Sequence, residues 1–210
     1  MPELPEVETS RRGLAPHVVG QVIERVVVRN PALRWPVSEE VLQLRDARVV
    51  SLERRGKYLL FNFVDGQMLV HLGMSGSLRV LETTVEPGKH DHVDWLLPNH
   101  RVLRLTDPRR FGAVLWNTQG LAHPLLSHLG VEPLSADFSG EYLAARALGR
   151  HQSVKTFLMD GEVVVGVGNI YAQESLFVAG IHPARTVDRI SAVRWQRLEE
   201  VVKSVLEAAL

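Results

Sequence analysis

The 210-residue chain, 23.5 kDa, is 45% hydrophobic and balances 24 basic against 24 acidic side chains. This is the composition of a globular protein long enough for one large domain or two modest ones. It contains no cysteine, which excludes disulfides, thiolate metal centres and a cysteine nucleophile and fits an intracellular, cytoplasmic setting. Acids stand where a signal peptide needs a basic start, and no apolar run approaches the roughly 20 residues of a membrane span, so no membrane partner is expected. Zero net charge speaks against a basic tail for nucleic acid, but four lysines and 20 arginines make guanidinium, the bidentate phosphate ligand, the dominant cation.

In chain order, Glu6 to Val18 places acids early and Arg11 and Arg12 late, which predicts a helix aligned with its dipole. Val22 to Val28 reads as a strand. Pro31, Trp35 and Pro36 interrupt before a short helix, Glu39 to Leu44, that Ser38 would cap. Short strands follow at Val49–Glu53, Tyr58–Phe63, Met68–Leu72, Ser77–Leu81, Val93–Leu97, Val102–Leu105 and Ala113–Trp116, with Asp65-Gly66 and Asn99-His100 as hairpin turns. This half predicts an antiparallel sandwich or barrel. Between Gly120 and Pro133 the glycine and prolines exclude regular structure, and helical spacing then governs Glu141–Leu148, Val154–Met159, Tyr171–Phe177 and Ser191–Leu210. The run GEVVVGVGN, Gly161 to Asn169, is too glycine-rich for a helix interior and predicts a tight connection between two helices.

Several residues could carry chemistry. If Met1 is removed, Pro2 presents a secondary amine titrating near pH 8, able to form an iminium with a carbon at the aldehyde oxidation level; the plain alternative is a permissive start residue. Glu3 and Glu6, three apart, read either as a carboxylate pair on one helix face or as N-terminal helix acids. In HLGMSGSL, His71 to Leu78, the glycines break the alternation, so Met74 is either an exposed wedge between bases or a core residue beside a bulge. TDPRRFG, Thr106 to Gly112, sets Asp107 and Pro108 as turn formers before Arg109, Arg110 and Phe111. The arginine and phenylalanine suit an opened base stack or, equally, a solvated pair and a core aromatic. Arg54, Arg55 and Lys57 form a further basic cluster. GVGN, Gly166 to Asn169, offers backbone amides and the Asn169 side chain to a phosphate but lacks a dinucleotide fingerprint. His90, Asp91, His92 and Asp94 are spaced closely enough for a surface metal site, although His90 and His92 share a strand face that Asp91 does not.

Together MPELPEVETSRRG, HLGMSGSL, KHDHVD, TDPRRFGA and VVGVGNIYAQESLF resemble the bacterial formamidopyrimidine-DNA glycosylases, in that family's order from Pro2 to the last residue. The resemblance implies an α+β fold: an N-terminal antiparallel β-sandwich with flanking helices over 1–120, then a helix-two-turn-helix DNA-binding domain over 121–210. It implies base-excision repair of double-stranded DNA, with removal of 8-oxoguanine and formamidopyrimidines and β,δ-elimination at the resulting abasic site. By resemblance Pro2 is the nucleophile, Glu3 the acid–base residue, and Lys57 a catalytic-site lysine that also meets phosphate. His71 and Asn169 match phosphate contacts, and His92, Arg110 and Arg150 complete the expected DNA-binding set. Met74, Arg109 and Phe111 match the trio that fills the gap left by an everted nucleotide, while Glu6, Lys155 and Glu174 are expected around the damaged base.

No cofactor is expected in this chain. The family's structural zinc sits in a C-terminal four-cysteine finger, and this sequence reads as ending before it: a truncated or naturally shortened monomer with weakened DNA affinity. A non-catalytic relative that binds damaged or abasic DNA, a relative acting on oxidised pyrimidines, and a glycosidase for a non-DNA ribosyl substrate are the other readings.

Overall fold

The structure is a computed structural model that describes residues 2–210. The chain divides into two compact units, one holding Pro2 and Glu6–His123, the other Glu3–Pro5 and Pro124–Leu210.

In the first unit helix α1 spans Leu4–Val18, two residues earlier than its charge pattern predicts, because Pro5 fits the first turn, where its missing N–H costs nothing. The predicted strand from Val22 to Val28 is two strands. Strand β1, Val22–Ile23, pairs with β3, Ala47–Arg48, in a small ribbon, whereas β2, Arg25–Val28, joins a different sheet. The charged pair Glu24-Arg25, which interrupts the apolar run, stands where the chain switches sheets. Helix α2 is only Glu39–Leu42. Ser38 precedes it without capping it, because the Ser38 hydroxyl instead accepts the Trp116 backbone N–H at 3.0 Å.

The remaining strands are β4 (Ser51–Arg55), β5 (Tyr58–Asn62), β6 (Gln67–His71), β7 (Ser77–Glu82), β8 (Asp91–Leu97), β9 (Arg101–Thr106) and β10 (Ala113–Asn117). With β2 they form two antiparallel four-stranded sheets, ordered β10-β6-β5-β4 and β2-β8-β9-β7. Leu52, Leu59, Phe61, Met68, Val70 and Val114 from the first sheet share one core with Val93, Trp95, Leu103 and Leu105 from the second, which makes the unit a β-sandwich. The turn between β4 and β5 is two residues long, and Gly56, at φ +56°, occupies its first central position, the place where a twisted hairpin needs glycine. Lys57 is the second. Between β8 and β9, Asn99 and His100 both take positive φ, as a tight hairpin requires.

Glu8 links α1 to this turn. Its carboxylate receives Arg11, Arg12 and Arg54 at 2.7, 3.0 and 3.2 Å, and Arg54 also donates to the Gly56 carbonyl at 2.9 Å. Burial alone would raise the Glu8 pKa, but the three guanidinium groups outweigh it and bring it down to about 2. A carboxylate with a depressed folded pKa stabilises the fold above the ordinary carboxylate range and loses that contribution as the pH falls toward 2. Glu8→Gln is thus expected to flatten the stability profile across that interval, read as chemical denaturation midpoints at stepped acid pH.

The second unit is helical: α3 (Pro124–Ser127), α4 (Gly140–Ala147), α5 (Val154–Met159), α6 (Asn169–Ala179) and α7 (Ala192–Ala208). The stretch Gly120–Pro133, expected to be irregular, contains a 3₁₀ turn at Gly120–Ala122 and α3, which begins on Pro124, where proline is at home in a first helical turn. Ser139 and Ser153 cap α4 and α5 by accepting the N–H of Tyr142 and Thr156. Trp195, Leu198, Val202 and Leu206 form the buried stripe of α7 and pack with Phe138, Leu143, Phe157 and Leu176. Gly180, in the left-handed conformation at φ +68°, ends α6.

Candidate functional site

In the β-sandwich unit, a cleft of about 610 Å³ is lined by Arg34, His71, Gly73, Met74, Arg109, Arg110 and Phe111 among others. Three segments line it, and one buried carboxylate holds the two that carry Met74 and Phe111 together. Asp107 is wholly buried; its Oδ1 accepts the Ser75 hydroxyl and its Oδ2 the Gly112 N–H, both at 2.8 Å. Ser75 Oγ in turn accepts the Arg109 N–H at 3.1 Å. The Asp107 carbonyl receives the Arg110 N–H at 3.2 Å and lies 2.8 Å from His92 Nε2. These bonds hold Arg110 at φ +57°, a conformation a non-glycine residue rarely takes. Gly73, at φ +61°, lies so close to the Phe111 backbone that a Cβ there would collide with it.

The loop tips are exposed apolar and cationic groups. Met74 is 42% and Phe111 43% exposed, against the core readings of both, and the Arg109 guanidinium lies 4.8 Å from the Phe111 ring centroid. Arg34, which sequence reasoning missed, stacks over Trp35 at 4.8 Å, and its N–H is anchored on the Gly112 carbonyl. It stands alone between prolines and gives no pattern to find it by. Asp107 was visible only as a turn former, since sequence cannot tell a solvated turn aspartate from one whose carboxylate is buried.

His71 ends β6 beside this cleft, its ring 4.9 Å from that of Tyr58. Its Nδ1 accepts the Gly73 N–H at 3.0 Å, so the neutral ring carries its proton on Nε2. Burial, then the positive charges of Lys57 and Arg34, pushes its pKa down to about 4, with Asp107 opposing weakly. The result is a neutral hydrogen-bond donor in a cationic neighbourhood. Ring ¹⁵N NMR is expected to show one Nε2–H tautomer without titration between about pH 5 and 8, unlike an ordinary histidine.

In the helical unit Glu3 is 2% exposed. Its Oε2 accepts the N–H of Gly168 at 2.8 Å and of Tyr171 at 3.3 Å, and its Oε1 that of Ile170 at 2.9 Å. This carboxylate therefore occupies the N-terminus of α6, where the unpaired N–H groups of a first helical turn attract an anion, and here the chain supplies that anion itself. Within GVGN the Gly168 amide is thus engaged by Glu3, and the Asn169 side chain is exposed at that turn. Leu4 N–H donates to the Gly166 carbonyl at 3.0 Å, and a Cβ on Gly168 would lie 2.5 Å from Glu3 Cδ. These glycines let the two segments meet.

Other expectations are relocated. Glu3 and Glu6 do not form a carboxylate pair, since Glu3 lies before α1 and is buried whereas Glu6 is exposed on it. His92 is 4% exposed and spends Nε2 on the Asp107 carbonyl, so it supports the Arg109 loop instead of reaching a ligand directly. The surface-metal reading fails locally too: Asp94 is bound by Arg29 and Arg104 at 2.6 and 2.8 Å. Arg150 pairs with Asp160 at 3.2 Å. Lys155 is half-buried with Nζ 3.4 Å from Gln173 Oε1, and Glu174 is exposed on α6. Pro2 and Lys57 are half-buried, and Met1 lies outside the described residues.

No three His, Asp or Glu side chains converge as metal ligands among the described residues, and the sequence has no cysteine, so these residues do not fit a four-cysteine zinc centre. No helix is long and apolar enough to cross a membrane among them.

Comparison with known proteins agrees with these features. Residues 1–114 match the family model for the formamidopyrimidine-DNA glycosylase N-terminal domain, and residues 129–210 that for the formamidopyrimidine-DNA glycosylase H2TH domain. The chain is similar to the formamidopyrimidine-DNA glycosylase of Alcanivorax borkumensis, 57% identical over 210 residues, which is 100% of this chain and 78% of that protein. It resembles the crystal structure of the MutM (Fpg) protein of Thermus thermophilus with a TM-score of 0.88 at 37% identity, covering 99% of this chain and 76% of that one. The Lactococcus lactis enzyme bound non-covalently to DNA containing an abasic site is similar with a TM-score of 0.91 at 30% identity, covering 99% and 81%.

Proposed function

Because this chain belongs to the formamidopyrimidine-DNA glycosylase family, we propose that it excises oxidised purines from duplex DNA and cleaves the resulting abasic site through the amine of Pro2. The observation that carries this reading is the N-terminal pair itself: a half-buried proline followed at once by a buried carboxylate that three backbone donors fix in place.

Removal of Met1 frees the secondary amine, a useful fraction of which is unprotonated near neutral pH. The target nucleoside is turned out of the stack so that the amine can reach C1′. The N–C1′ bond forms as the glycosidic bond breaks, and the base departs with a proton. Ring opening gives an iminium between Pro2 and C1′, which acidifies the C2′ hydrogen. Loss of that proton expels the 3′ phosphate, a second elimination expels the 5′ phosphate, and hydrolysis returns the amine. Glu3, adjacent to the nucleophile, is assigned the proton transfers.

Binding falls to the other groups. Met74 and Phe111, exposed on rigid loops, suit the space an everted nucleotide leaves, and Arg109 can face the unpaired partner base. His71 Nε2–H, Lys57 and the Asn169 amide are donors for the DNA backbone. Arg110 belongs with them by exposure. Lys155, Glu174 and Glu6 are assigned to the surroundings of the damaged base, 8-oxoguanine or a ring-opened purine. The sequence supplies no zinc ligands of the finger type, and none of these steps uses a metal.

The test is a strand-cleavage assay on a duplex carrying one 8-oxoguanine opposite cytosine. The reading predicts free 8-oxoguanine and a one-nucleotide gap with phosphate at both ends. Binding without base release would instead make the chain a damage-recognising relative without catalysis.

A further inference from the structure

The helical unit carries a second polar cleft, of about 580 Å³, to which no step above assigns a role. His151, His182, Arg185, Thr186, Asp188 and Arg189 line it. We infer that this cleft is a second docking surface for the phosphate backbone of duplex DNA, an inference that rests on the DNA-repair reading and extends its footprint.

Charge is the first argument. Arg185 and Arg189 are permanently charged and exposed, and the one acid in the lining, Asp188, is already engaged by the Thr186 side chain and by His151, whose Nδ1 is 3.4 Å away. The cleft therefore sets two exposed guanidinium groups against a single carboxylate, and guanidinium matches phosphate bidentately.

The second argument is a repeated device. His182 Nδ1 accepts the N–H of Ala184, two residues on, at 3.2 Å, as His71 Nδ1 accepts that of Gly73 at 3.0 Å. In both, the ring is oriented by its own backbone, and its neutral form carries the proton on Nε2. A histidine set in this way donates to an anion without having to be protonated, and in each case arginine stands beside it.

The third is rigidity. The cleft segment is tied to the start of α5: Val154 N–H donates to the Arg185 carbonyl at 2.8 Å, Lys155 N–H to Pro183 at 3.2 Å, and Val187 N–H to Gln152 at 3.1 Å. Ser153 and Thr186 form a β-bridge, and Val187 is buried. The cations thus sit on a fixed frame contiguous with Lys155, so phosphate contacts there demand little ordering on binding.

The double variant Arg185→Ala/Arg189→Ala of the full chain tests this. Binding to an undamaged 25-base-pair duplex is followed by fluorescence anisotropy over a salt series. Each phosphate contact contributes about 0.9 to the slope of log K against log salt, so the slope is expected to fall by about 1 to 2, with affinity lower by roughly tenfold or more at low salt. Cleavage of a saturating 8-oxoguanine duplex stays at the parent rate. A thermal melt confirms folding; if the pair fails to fold, Arg189→Gln alone is expected to lower the slope by about 1.

An unchanged slope overturns the inference, as does an affinity loss that leaves the slope unaltered. If the parent binds, and the variant lowers the slope, but neither cuts the lesion, the catalytic reading fails while the cleft stands. If the parent cuts and the slopes coincide, the cleft alone fails. A parent that binds no duplex at all removes both.

Discussion

Glu3→Gln is expected to slow base release by about 10² to 10⁴-fold, the range for losing a positioned acid–base group. The argument is geometric. Both carboxylate oxygens accept backbone N–H groups, Oε2 from Gly168 and Tyr171 and Oε1 from Ile170. A carboxamide is nearly isosteric, but it must turn its own NH₂ toward at least one of these donors. One or more charge-assisted bonds are lost, about 1.5 to 3 kcal/mol each, so the melting temperature falls along with the rate. Gly168→Ala separates the two effects. Its Cβ would meet Glu3 Cδ at 2.5 Å and displace the carboxylate while keeping its charge, so base release falls although a carboxylate is still present. Single-turnover base release, read beside a thermal melt, checks both variants. Parent-like base release in Glu3→Gln would remove Glu3 from the chemistry and leave it as a helix cap.

Asp107→Ala is expected to cost about 3 kcal/mol or more of stability and to disorder the loop that carries Arg109 and Phe111. It strips two bonds from a wholly buried carboxylate, each worth about 1.5 to 3 kcal/mol when the acceptor is charged. It also leaves the Gly112 N–H without its acceptor. Asp107→Asn is milder, because one amide oxygen can still take the Gly112 N–H while the NH₂ donates to Ser75 Oγ. The Ala variant should lose affinity for duplex with an abasic gap beyond its loss for intact duplex, since Met74 and Phe111 act only where the stack is open. Denaturant titration gives the stability, and paired binding measurements give the ratio. An Ala variant as stable as the parent would contradict the role assigned to Asp107.

Much of this was legible in sequence because the signals are local. The strands from β4 to β10 follow alternation and turn chemistry, and Asn99-His100 and Asp65-Gly66 fall where hairpins close. The family motifs likewise mark Pro2, His71, Met74 and Phe111 without any structure. What escaped depends on contacts distant in sequence. Glu24 and Arg25 are the one break in an otherwise apolar run and do not by themselves say that the strand ends, yet the chain changes sheets there. Ser38 has the residues of a cap and uses its hydroxyl on Trp116, 78 positions away. Glu3 reads as one of a pair with Glu6, three residues on, but its partners are 165 or more residues away. His92 and Asp107 are polar residues on a motif-bearing surface by sequence, and only burial reveals that they hold the loop from beneath.

The proposed chemistry requires the α-amine of Pro2 to become covalently joined to C1′ of the damaged nucleotide. Reduction with borohydride during incubation with an 8-oxoguanine duplex at low salt, followed by intact-mass measurement and peptide mapping, tests it directly. A single adduct is expected, with the mass of the chain lacking Met1 plus DNA, mapped to Pro2. No adduct from a chain whose Met1 is demonstrably removed, or an adduct mapped to Lys57 or Lys155 instead, would contradict it.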